Sequence, residues 1–109
     1  MTNVEIHKES VKRMSRIKVG EMVTNICASS DNPIKYTIFV RHEVIKNTNK
    51  HGLFFEDHKA KTTDANGTFF NIDIDVIYPG VLCKEECEKL YQPIWEAEYG
   101  TENSTIHSV

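Results

Sequence analysis

In the stretch GTFFNIDIDVIYPG, residues 67 to 80, apolar and polar side chains alternate. Phe70, Ile72, Ile74, Val76 and Tyr78 fall on one face of an extended chain, and Asn71, Asp73 and Asp75 on the other. A period of two predicts a strand with one buried side. Phe69 and Ile77 break the rule, because they are apolar on the polar side. The segment YTIFVRHEVI, residues 36–45, is β-branched and aromatic and predicts another strand. Tyr36, Ile38, Val40 and Val44 share one of its faces with His42; Thr37, Phe39, Arg41, Glu43 and Ile45 share the other. IKVGEMVTNICA, residues 17–28, predicts a first strand in which Gly20 marks a bulge or a sharp bend. LFFEDHK, residues 53–59, predicts a third.

Turn formers separate these runs. SSDNP (29–33) and NTNKHG (47–52) predict loops. Asn66-Gly67 predicts a tight hairpin with positive φ at both residues, and Pro79-Gly80 the middle of a type II turn. After residue 80 the period changes. Cys87, Leu90, Tyr91, Ile94 and Glu98 are spaced three and four apart, which predicts a helix over residues 84–99. Glu85 and Glu86 suit its first turn, Cys83 is a poor N-cap, and Pro93 should kink or split it. Residues 1–16 are weakly patterned. Val11 and Met14 suit a short helix with one apolar stripe, and a loose terminus is the other reading.

The expected architecture is one domain over residues 1–100: a basic lead-in (1–16), a β-sheet core (17–78) and a C-terminal helix (84–99). Residues 101–109 form a patternless, flexible tail. Short sequential strands favour antiparallel pairing. The fold class is therefore mostly β (α+β), either a small curled antiparallel sheet or an SH3-like barrel of four or five strands.

Composition changes this picture little. The chain has 109 residues, a formal charge of −3 and three cysteines, an odd number that does not suit a closed disulfide framework. No apolar run approaches a membrane span, so the expectation is a soluble, cytoplasmic protein with free thiols. Charge is uneven: residues 1–18 carry a net +3 and residues 84–109 a net −4. The negative total opposes a role in non-specific DNA binding, while Lys12, Arg13, Arg16 and Lys18 leave room for phosphate contacts.

Lys18, Val19, Gly20, Glu21 and Val23 resemble the opening strand of small SH3-like barrels, over about a tenth of the chain. The resemblance implies a binding module rather than an enzyme and carries over no site residues. Richness in Asn, Ile and Lys, with the small size, is similar in style to short accessory proteins of large tailed bacteriophages, whose implied partner is a host protein.

Candidate chemistry is sparse. Cys83 and Cys87 lie one helical turn apart and could face one metal ion, but Cys27, His42, His51 and His58 supply no paired spacing to complete a zinc site. His51, Asp57 and His58 offer acid–base groups without a nucleophile or a phosphate loop. Asp73 and Asp75 could hold a hard cation, or could simply keep a strand face soluble. No cofactor or metal is expected. If the strands of Phe39 and Phe69 are neighbours, Phe39, Arg41 and Phe69 form an aromatic and arginine patch that docks a protein or stacks on bases. The alternative is that this face is covered, which Ile45 and Ile77 on the same side favour. The leading expectation is a non-enzymatic protein-interaction module; the second is a nucleic-acid or nucleotide binder.

Overall fold

A computed structural model of the chain describes residues 2–27 and 35–100. The expected turn at 29–33 and tail at 101–109 lie outside the described residues. The chain forms α1 (Asn3–Arg16), β1 (Met22–Asn25), β2 (Tyr36–Thr48), β3 (Phe54–Thr63), β4 (Phe69–Asp73), a 3-10 turn (Ile74–Val76), β5 (Ile77–Pro79) and α2 (Lys84–Trp95), with a π-helical turn at Glu96–Gly100. It is an α+β fold, mostly sheet. The five strands are antiparallel in the order β4-β3-β2-β1-β5.

The sheet curls because of one short connection. β4 and β5 are its two edges, yet only the residues of the 3-10 turn separate them in sequence. Asp73 starts this turn by accepting the Asp75 N–H at 3.0 Å. The run 67–78, expected as one strand, is thus two strands on opposite edges. The closed barrel does not form: among the described residues β4 and β5 share no register. The curled sheet with its C-terminal helix does.

α1 begins with a capping box, in which Thr2 accepts the Glu5 N–H and Glu5 accepts the Thr2 N–H. Those bonds also hold the Glu5 carboxyl below its ordinary pKa. The helix runs to Arg16, so the strand expected from residue 17 shortens to Met22–Asn25. Ile17 instead caps the helix and enters the core. Gly20 lies in the turn before β1 with φ +90° and donates to Phe39 O.

One core cluster joins Met14 and Ile17 of the helical segment to Val23, Phe39, Ala60, Ile74 and Ile77 inside the curl. A second joins Ile6, Ile26 and Val76 to Cys87 and Ile94 of α2. α1 thus covers the inner face, and α2 closes one end against the start of α1. Pro93 stays inside α2, which passes into the π-helical turn three residues later.

The loops joining β2 to β3 and β3 to β4 are built alike. Asn49 and Asp64 each accept two backbone N–H groups through Oδ1, from His51 and Leu53 and from Asn66 and Thr68. Each loop ends on a left-handed glycine, Gly52 or Gly67. Asn66 does not adopt positive φ, so the anchor of the second hairpin is Asp64.

Candidate functional site

A β-bulge sorts the expected patch. β2 and β3 slip register between Phe39 and Arg41: Phe39 faces Thr62, and Arg41 faces Lys61. The extra residue, Val40, puts Phe39 and His42 on the same inner side and sends Arg41 outward. Phe39 is 4% exposed, in the middle of the core. The expectation that it shares an outer surface with Arg41 and Phe69 is corrected on that ground. Arg41 and Phe69 do share the outer face, two strands apart, with Lys61 between them. Phe69 is 59% exposed, and the Lys61 ammonium sits 4.8 Å from its ring centroid. Around them Glu43 pairs with Arg41 at 2.7 Å and lies 3.9 Å from Lys61. Ile77, expected on this face, is fully buried inside.

The basic segment is divided as well. Arg13 is committed to the fold. Its Nε donates to Ile77 O at 2.8 Å, and its Nη2 to Ile74 O at 3.1 Å, Asp75 O at 3.3 Å and Ser10 Oγ at 3.3 Å. The guanidinium lies 3.7 Å over the Tyr78 ring. Burial lowers its pKa, against the attraction of Tyr78, Asp75 and Glu9. The expected phosphate contact is therefore corrected to a clamp on the 3-10 turn. Lys12, Arg16 and Lys18 are exposed. Lys12 and Arg16 line, with Glu9 and Arg13, a shallow depression of about 330 Å³. They belong to the helix on the inner face, whereas Arg41 and Phe69 lie on the outer one, so the fold does not bring the cations of the basic segment and the stacking aromatic onto one surface.

A further exposed apolar feature lies on the β2–β3 ribbon. β1 pairs with β2 only over residues 36–38, and β4 with β3 only over residues 59–63. Beyond them β2 and β3 continue as a two-stranded arm, from Val44↔His58 to Thr48↔Phe54. Its tip carries Leu53, 64% exposed, and Phe54, 84% exposed, with Phe55, Val44 and Ile45 also in solvent. Phe54, Phe55 and the cross-strand pair Lys46 and Glu56 line a groove of about 390 Å³. Two phenylalanines at successive positions, FF within LFFED, were the available signal. A strand with only one buried face would expose just one of them.

At the arm's root lies a second unanticipated group. His42 Nε2 and His58 Nδ1 are 2.9 Å apart, and His7 of α1 stands edge-on to His58 with ring centroids 4.6 Å apart. His58 thus turns inward. Asp57 turns outward to Lys59 at 3.7 Å, so the two do not form an acid–base pair. His51 lies in the hairpin loop.

All three cysteines are free; Cys83 is exposed and Cys87 buried. Burial first, and Asp73 second, push the Cys27 thiol up, so it keeps its proton at neutral pH. Asp73 serves the 3-10 turn. Among the described residues no three His, Cys, Asp or Glu side chains are grouped to hold a metal ion, and no helix is long and apolar enough to cross a membrane. No family model, curated protein or solved structure matches this chain.

Proposed function

We propose that this chain is a binding module that docks onto another protein through the tip of the β2–β3 arm. The observation that carries this reading is the exposure of Leu53 and Phe54, adjacent residues at the end of a ribbon that projects beyond its neighbouring strands. Aromatic side chains seated in a partner's pocket commonly dominate the energy of such contacts. Full burial of a leucine or phenylalanine is worth about 1.5–3 kcal/mol. The partner chemistry that fits is an apolar cleft rimmed by charge, to receive the rings and meet Lys46 and Glu56. The phage-like composition makes a bacterial host protein the partner to seek first.

The test is capture from bacterial lysate by the immobilised chain and by its Leu53→Ser/Phe54→Ser variant. Samples are run at low and high salt, with and without nuclease. A protein retained by the native chain, lost from the variant and indifferent to nuclease and salt supports docking. Equal retention by both chains, or recovery that vanishes with nuclease, overturns it. The latter result would favour the nucleic-acid reading, whose phosphate contacts are steeply salt-dependent.

A further inference from the structure

Where the arm leaves the sheet, three imidazoles from three elements meet: His7 from α1, His42 from β2 and His58 from β3. The His42 and His58 ring centroids are 5.0 Å apart, and their facing nitrogens are within hydrogen-bond distance. Glu56 of β3 reaches the far side of the group, its Oε1 3.5 Å from His58 Nε2, and is itself largely exposed. Alternation sends Arg41, Glu43, Asp57 and Lys59 to the opposite face. β4 meets the inner face with Ile72, opposite Ala60. Lys46 lies farther out on the arm, across from Glu56, and Lys8, beside His7, is exposed on α1. The joint therefore holds three titratable rings and one carboxylate at its rim.

A bond between His42 Nε2 and His58 Nδ1 needs one nitrogen with a hydrogen and one without. When both rings are protonated, both facing nitrogens carry hydrogen. The bond is lost, and two like charges stand side by side under a third ring. Burial, then His58, then His7 already push the His42 pKa below its ordinary value. For a base with a depressed pKa the open form binds the proton more readily than the closed one. The closed joint is then fully favoured above about pH 6.5, the ordinary histidine value, and is weakened as pH falls from there through the depressed one.

We propose that His7, His42 and His58 form a proton-operated latch, which holds the root of the arm against α1 when the rings share a neutral hydrogen bond and releases the arm when they are charged. A two-stranded ribbon is marginally stable without a third layer, so release at the root frees the whole arm. The latch concerns an internal joint and stands whether or not the tip docks on a protein.

Amide hydrogen exchange followed by mass spectrometry tests it, near pH 7.5 and near pH 5.5, with rates corrected for the intrinsic effect of pH. The expected result is a fall in protection of about tenfold or more on acidification, confined to residues 42–58 of the arm, because Ile6, Arg13, Met14 and Ile17 keep α1 on the core. Residues 87–94 of α2 should not change. In His42→Gln the side-chain amide can still bond to His58 but takes no proton, and the fall should shrink to within about twofold. If His42→Gln does not fold, His58→Gln, whose amide can likewise bond to His42 but takes no proton, serves with the same expectation. Unchanged protection of the arm at the lower pH, an equal loss in α2, or an undiminished response in the folded variant would each overturn the latch.

Discussion

Arg13 shows how far a single side chain can be redirected by the fold around it. Its guanidinium donates to three carbonyls of the 3-10 turn and the start of β5, one of which, Ile74 O, also accepts the Ile77 N–H. Those carbonyls belong to the connection that carries the chain from one sheet edge to the other. Hydrogen bonds from a charged group contribute about 1.5–3 kcal/mol, so Arg13→Met should lower the unfolding free energy by about 3 kcal/mol in a urea titration. Arg13→Lys should recover less than half of that, because an ammonium lacks the planar fork that spans several acceptors. A loss too small to measure would return Arg13 to the solvated residues. Thr62 offers the opposite case. Its hydroxyl, like that of Thr37, is buried in the curl with no hydrogen-bond partner among the described residues. Thr62→Val removes a desolvated hydroxyl while keeping the shape, and should raise the unfolding free energy by about 1 kcal/mol. A loss of stability would mean that the hydroxyl is satisfied after all.

At the scale of elements, β2 and β3 do two jobs along their length. Their inner ends hold the core, and their outer ends form the arm. Phe39→Ala and Phe54→Ser should separate the two. The first removes a ring from the middle of the core and should cost about 3–5 kcal/mol. The second should stay within about 0.5 kcal/mol of the parent, because Phe54 loses little contact. Comparable losses in thermal or urea unfolding would show that the arm packs as core. The same strands show what the chain disclosed before its structure. Alternation located β4, β-branched and aromatic content located β2, and the three-four spacing located α2, because those patterns are local. The bulge at Val40 was not legible: nothing within YTIFVRHEVI marks where an extra residue shifts the register, and the slip decides whether Phe39 or Arg41 faces inward. The 3-10 turn was hidden for a related reason. Ile74 and Val76 keep the alternation while the backbone leaves the sheet, and only Asp73, as a cap, hints at the change. α1 carried a readable signal in its Thr2-x-x-Glu5 box, but Ser10 interrupts its buried stripe. The histidine group needed three elements in register before it could be seen, so no spacing in the sequence could announce it.

For the molecule as a whole, the question is what prevents a curled sheet with two unpaired edges from opening. β4 and β5 are not bonded to each other, so closure must come from what fills and straps the curl. α1 does both. Met14 and Ile17 enter the inner cluster, Ile6 enters the one shared with α2, and Arg13 holds the 3-10 turn. Burying three such apolar side chains is worth about 5–9 kcal/mol, before the Arg13 bonds are added. A domain of this size has a total stability of about 5–15 kcal/mol. The helical lead-in therefore accounts for a share as large as the whole margin, although it lies outside the sheet. Removing residues 1–17 should leave a chain without a cooperative urea transition, with weakened near-ultraviolet circular dichroism and with apolar dye binding at neutral pH. Arg13→Met in the full chain should keep a single sigmoidal transition at a lower midpoint. If the shortened chain unfolds as sharply as the parent, the sheet closes by its own side chains, and α1 is an accessory laid over a finished core.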